Sequence, residues 1–196
     1  MTEQGGEGAL VKRSAFTLIE MLVVVAVLGI AGAMIIPSMG SVGALRVQTA
    51  LRTIVSDITF AQADAIAFQE RRAVIFDQAS NSYCVASVPG NSLSIDNALY
   101  YPAGPGGRYV VNMSEPRYAG AQLSTVTFGT SGAALIFDDL GSPVTSATDD
   151  TAGPGGSLFL SGSEQAYQIV IDAYTGRVSV RKQAAPEPIA IAPIGM

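Results

Sequence analysis

The chain alternates between two kinds of apolar pattern before it becomes strand-like. From Phe16 to Ile36 it runs for 21 residues with a single charge, Glu20. Beyond Pro37 the apolar positions become periodic. Val47, Leu51, Ile54, Ile58, Ala61, Ala65 and Phe68 follow at steps of 4, 3, 4, 3, 4 and 3, which is one stripe of an amphipathic helix. Arg46, Arg52, Asp57, Gln62, Asp64 and Gln69 lie off that stripe. The two patterns predict one long helix over 16 to about 70. Its first part reaches roughly 31 Å at about 1.5 Å per residue, enough to cross a bilayer core. Its middle is loosened by Gly29, Gly32 and Pro37: the proline has no N–H for the carbonyl of Ala33, and the glycines add backbone freedom. The stripe suits either a coiled-coil partner or a sheet of the same chain. Small residues at its C-terminal end and the strand pattern that follows at once favour the sheet.

After Arg72 the period falls to two. Ala73–Asp77 and Ser82–Ser87 flank Gln78 to Asn81 as a hairpin. Residues 88–107 are rich in Gly, Pro, Ser and Asn and read as a long loop. Tyr109–Asn112, Gln122–Phe128, Ala133–Phe137, Ser157–Leu160, Tyr167–Asp172 and Val178–Arg181 read as strands. Residues 149–156 read as a loop, and Thr175-Gly176 as the last hairpin turn. From Gln183 the chain is Ala- and Pro-rich without a period. The expected fold is therefore α+β: a long N-terminal helix, membrane-spanning in its first half, packed on a C-terminal antiparallel sheet. The divisions are 1–15 before the helix, 16–37 for the spanning part, 38–71 for its amphipathic continuation, 72–182 for the β domain and 183–196 for the tail.

Composition narrows the chemistry. The 196 residues carry a net charge of −5 and no histidine, so imidazole ligation and histidine base catalysis are excluded. An acidic chain argues against a general nucleic-acid surface. The lone cysteine, Cys84, has no internal disulfide partner and falls in a predicted strand, where it reads as a small core residue. The acidic pairs Asp138-Asp139 and Asp149-Asp150 fall in predicted loops and read as solvated carboxylates, so no metal site is assigned. Gly153-Pro-Gly-Gly156 lacks the lysine and following helix of a phosphate loop. No catalytic constellation, cofactor or enzymatic activity is expected. Lys12 and Arg13 precede the apolar run, and residues 38 to 45 carry no charge, which puts the N-terminus in the cytoplasm and the rest outside it.

Glu20 is the anomaly. A carboxylate within a spanning helix costs about 2.5–3.5 kcal/mol at the centre and less near an end. A secretory signal peptide would have a shorter apolar core with a small-residue cleavage site after it. An ordinary anchor would leave Glu20 unexplained. The string Lys12-Arg13-Ser14-Ala15 followed by Phe16-Thr-Leu-Ile-Glu20 strongly resembles the processing site of type IV pilins and type II secretion pseudopilins. Gly29 and Pro37 fall where that family commonly has a helix-loosening Gly and Pro. Ala15 departs from the Gly usual before the cut. Phe137-Asp-Asp-Leu-Gly-Ser-Pro143 and Thr175-Gly-Arg-Val178 resemble turns of the H-type minor pseudopilins.

The resemblance implies that residues 1–15 are a prepilin leader, cut between Ala15 and Phe16 with N-methylation of Phe16. It implies that Glu20 is an assembly contact, neutralising a neighbour's N-terminal amine. The implied partners are a prepilin peptidase/methyltransferase, other pseudopilins or pilins, an inner-membrane assembly platform and the membrane itself. The implied role is a minor pseudopilin of a type II secretion pseudopilus, single-pass in the bacterial inner membrane with a periplasmic C-terminal domain. A minor pilin of a type IV pilus is the alternative within the same class. A DNA-uptake pilin would need a basic patch, and the tail after Gln183 carries one charge, Glu187. A membrane-anchored hydrolase has no recognisable constellation behind it.

Overall fold

The computed structural model describes residues 16–35, 39–130, 132–162 and 165–183. The chain divides into two compact units, residues 1–39 and 40–196. The first contributes helix α1 (Leu18–Ile35), apolar around its whole circumference and exposed over Leu18–Gly32. Among the described residues no helix is long and apolar enough to cross a membrane. α1 is described over 18 residues, about 27 Å, whereas the apolar run in the sequence extends from Phe16 to Ile36. The expected spanning helix over 16–37 is thus described only in part.

Helix α2 (Met39–Phe68) belongs to the second unit from Gly40 onward. The predicted stripe is its buried face: Val47, Ile54, Ile58, Ala61 and Ala65 are buried. Ala50 joins them, and Leu51 is half-buried. Phe68 departs from the expectation. It is the last residue of α2 and exposed, with the Arg72 guanidinium carbon 5.6 Å from its ring centroid. The helix stops there because Gln69 takes a left-handed conformation, φ 52°. The amide of Glu70 then donates to the carbonyl of Ala65 at 3.2 Å, closing a Schellman turn that satisfies a terminal carbonyl.

Among the described residues ten strands follow in two sheets. β1 (Arg72–Asp77), β2 (Ser82–Ser87), β3 (Val110–Asn112), β5 (Ala134–Phe137), β6 (Pro143–Ser146) and β7 (Asp149–Ala152) form one, in the order β3-β2-β1-β5-β6-β7. β4 (Gln122–Phe128), β8 (Gly156–Ser161), β9 (Ala166–Ile171) and β10 (Val178–Gln183) form the other, in the order β10-β9-β8-β4. All named pairings are antiparallel. Two predictions need correcting. Residues 149–152, read as loop, are strand β7, and Pro143–Ser146, unassigned from sequence, is its partner β6. β7 is an exposed edge strand, so it needs neither an apolar alternation nor β-branched residues to pair, and its two aspartates sit in solvent.

The core lies between α2 and both sheets. The α2 stripe packs with Val74, Phe76, Tyr83 and Val85 of the first sheet and with Leu158, Leu160, Ile169 and Ile171 of the second. Each fully buried isoleucine or leucine contributes about 1.5–3 kcal/mol through loss of apolar contact with water. β1 is covered on both faces. Ala73 belongs to a second cluster with Ala134, Ile136, Val144 and Ala147, beneath Val88 and Leu93.

Candidate functional site

The N-terminal segment begins with a reciprocal cap. Thr17 precedes the first helical residue, and its Oγ1 accepts from the amide of Glu20 at 3.3 Å. Glu20 Oε2 lies 3.5 Å from the amide of Thr17, which donates to it. This is a capping box, in which residues three apart satisfy each other's free backbone donors. A negative side chain also complements the positive end of the helix dipole. The carboxylate predicted to be an assembly contact is therefore folded back over the start of its own helix, one residue from the exposed Phe16. Gly29 and Gly32 lie within α1, and apart from their chain neighbours and the helix's own backbone no described atom comes within 4 Å of where their Cβ would be. Ala15 and Pro37 lie outside the described residues.

In the second unit, two polar residues that lie off the apolar stripe in the sequence hold the helix to the sheets. Gln62 Nε2 donates to the carbonyl of Gly141 at 2.7 Å and to that of Thr175 at 3.0 Å. These carbonyls belong to the turns Phe137–Pro143 and Thr175–Val178, which come from different sheets. Both turns approach α2 closely through a glycine at positive φ, Gly141 at 81° and Gly176 at 66°. A Cβ at Gly141 would lie 2.6 Å from Ile66 Cδ1, and one at Gly176 would lie 2.6 Å from Gln62 Nε2. Only glycine takes both the backbone and the contact without strain.

Asp57 is the second. It is buried, and its carboxylate accepts the hydroxyl hydrogens of Tyr83 at 2.6 Å and Tyr109 at 3.0 Å. Burial raises its pKa above the ordinary carboxylate value, against the opposing hydrogen bonds from Tyr83 and Tyr109 and the positive charge of Arg117. Burial and the neighbouring Asp57 push both tyrosines up as well. The Tyr109 ring is sandwiched between Phe60, 5.4 Å away, and Tyr101, 4.6 Å away. Sequence periodicity missed Asp57 because a charge on the flank of a stripe reads as solvated. The available signal was the set of tyrosines in the strands and loop that follow.

Arg72, buried at the start of β1, pairs with Asp64 of α2 and with Glu70 at 2.9 Å. Burial alone would lower its pKa, but the hydrogen bonds it donates to Glu70 and Asp64, with their negative charges, outweigh that and raise it. The acidic pairs are put to local use. Asp138 Oδ1 accepts from the amides of Leu140 at 3.0 Å and Ser142 at 2.6 Å, capping its own turn. Asp150 pairs with Arg71. Hydrogen bonds from Thr151 hold Asp149 below the usual carboxylate pKa. Among the described residues no group of three or more Cys, Asp or Glu side chains is placed to hold a metal ion. Cys84 is buried in β2, and burial pushes its thiol up to about 11, so it stays protonated.

The family model of the prokaryotic N-terminal methylation motif matches residues 10–36. The N-terminal segment therefore carries a prokaryotic N-terminal methylation motif, joined to a chain of α+β architecture. Two solved structures resemble the fold. The minor pseudopilin EpsH from the type 2 secretion system of Vibrio cholerae aligns at 11% identity and a TM-score of 0.44, over 71% of this chain and 97% of that one. The type IV minor pilin FimU of Pseudomonas aeruginosa aligns at 11% identity and a TM-score of 0.41, over 71% of this chain and 88% of that one. No curated protein sequence matches the chain.

Proposed function

We propose that this chain is a non-enzymatic structural subunit of a pilin-like filament, and specifically a minor pseudopilin of a type II secretion pseudopilus. The observation that carries the reading is the match of residues 10–36 to the N-terminal methylation motif. In this reading residues 1–15 are a leader. A prepilin peptidase cuts between Ala15 and Phe16, and the new amine of Phe16 is methylated. The apolar segment anchors the chain in the bacterial inner membrane with the C-terminal domain in the periplasm. An inner-membrane assembly platform then draws it into a filament with other pseudopilins or pilins. Gly29, Gly32 and Pro37 let the helix loosen during that transfer.

The capping box gives Glu20 two successive partners. Before assembly its carboxylate is occupied by the Thr17 amide at the helix start. In the filament it exchanges that weak contact for the N-terminal amine of a neighbour, an ion pair worth more in low dielectric than in water. Mass spectrometry of the mature N-terminus tests the reading. It should begin at Phe16 with one added methyl group, and a start at any other residue would refute the processing step. Complementation of a strain lacking its pseudopilins, scored by protein export, separates the secretion role from that of a type IV minor pilin, which would restore twitching instead.

A further inference from the structure

The two ends of the C-terminal body differ in chemistry. At the end where α2 stops, the turns carrying Leu140 and Tyr174 close against Gln62 and Ile66. Ile66, Phe68, Leu140 and Tyr174 all lie at this end, from 51% exposed at Ile66 to 77% at Leu140. Such a group of large exposed apolar side chains, rimmed by charge, marks an interaction surface. The rim is acidic: Asp138, Asp139 and Asp150 line one surface with Leu140 and Arg71, Asp149 precedes Asp150 on β7, Glu70 follows the end of α2, and the Asp172 carbonyl accepts from the amide of Gly176. Of the three guanidinium groups there, Arg71 pairs with Asp150 and Arg72 with Asp64 and Glu70, and only Arg177 is outside an ion pair among the described residues.

The opposite end is basic. β10 runs back along the body, so that Gln183 pairs with Ala166 and Ala166 with Ser161. The next residue, Gly162, lies against Val47 near the start of α2. Arg181 and Lys182 are therefore level with the turns of α2 that carry Leu45, Arg46 and Arg52. All five are exposed, Leu45 by 60%. Two carboxylates among the described residues lie at this end: Asp77 caps its own β1–β2 turn through Ser80, and Glu115, which lines a pocket with Thr53, is paired with Arg117 at 2.8 Å.

We propose that the acidic, apolar end of one copy seats on the basic end of a second copy, head to tail. Opposite charge steers the approach, and Leu140 and its neighbours gain a partner in the Leu45 region. A heterologous contact of this kind leaves one end of each sort free, so it propagates as an open row and does not close as a dimer. The inference goes beyond the filament reading. That reading rests on residues 10–36 and this contact on the two ends of the C-terminal body, so either can fail alone.

The test uses the full chain in detergent with Cys84→Ser as background. One tagged copy carries Leu140→Cys and a differently tagged copy carries Leu45→Cys. Oxidation should give mixed-tag dimers about fivefold more often than either copy gives with itself, the size of one or two charge pairs at an interface rim. Asp139→Lys with Asp172→Lys on the first copy should remove that excess. Arg181→Glu with Lys182→Glu on the second should restore it. Raising salt to about 0.5 M, where the Debye length falls to roughly 4 Å, should reduce the unsubstituted pair equally, with no dependence on how a variant folds. Equal yields from like copies, indifference to charge reversal and salt, or crosslinking only after another filament subunit is added would each overturn the proposal.

Discussion

Tyr83 donates its hydroxyl hydrogen to Asp57 at 2.6 Å, a bond between the middle of α2 and strand β2 that lies wholly inside the protein. With Tyr109 on the other carboxylate oxygen, the helix is tied through one side chain to two segments of the first sheet's far edge. Hydroxyls compensate a buried charge less fully than a cation would, so this tie has a characteristic pH dependence.

The folded pKa of Asp57 lies above its unfolded value, so the folded state binds the extra proton. Its contribution to stability is present below the unfolded pKa near 3.8 and is lost as pH rises through the raised folded value. Asp57→Asn removes this dependence. In urea unfolding between about pH 4 and 7, the stability of the original chain relative to the Asn variant should decline as pH rises. A constant or rising difference would show that Asp57 does not titrate as a buried carboxyl.

Gln62→Ala should destabilise the domain by about 1–3 kcal/mol, the cost of leaving the Gly141 and Thr175 carbonyls without their donor in a tight contact. Thermal unfolding followed by circular dichroism reads this directly. A change within about 0.5 kcal/mol, as at an ordinary surface position, would mean that water replaces the amide without loss.

Deleting residues 1 to about 40 should leave a folded, acidic domain, because every buried residue of the α2 stripe keeps its sheet partners. The expected result is a soluble chain with a single cooperative transition. Aggregation or a gradual transition would contradict it.

Glu20→Gln separates charge from helix capping. Glutamine fills the same position of a capping box, so α1 should start as before, and insertion should be unimpaired since a charge leaves an apolar run. Cleavage before Phe16 should proceed. Incorporation into filaments with wild-type partners, followed by crosslinking beside a membrane-fractionation control, should fall. Normal incorporation would remove Glu20 from the assembly contacts.

The α2 stripe was legible because burial on one face of a helix leaves a period that survives in sequence. Val47, Ile54, Ile58, Ala61 and Ala65 all went where the spacing put them. β2 and β4 were legible to the residue, since both sit between clear turn signals. What escaped was polar. Asp57 and Gln62 look like any solvated helix flank until the chain returns, from 26 to 113 residues away, to supply their partners. β7 escaped because an edge strand exposed to water has no reason to alternate. The division into two sheets escaped because strands leave little sequence record of which neighbour they pair with.

The Gln62 contacts also set an order of events. Its acceptors lie 79 and 113 residues downstream, and contacts that distant close slowly because the loop entropy between them is spent first. The β1–β2 hairpin is local and can form as soon as it emerges. Gln62, by contrast, cannot be bonded to both turns before the chain has been made as far as Thr175. Until Thr175 is in place, Gln62 is bonded to the turn of the first sheet alone, and α2 lacks the tie that joins it to the last hairpin.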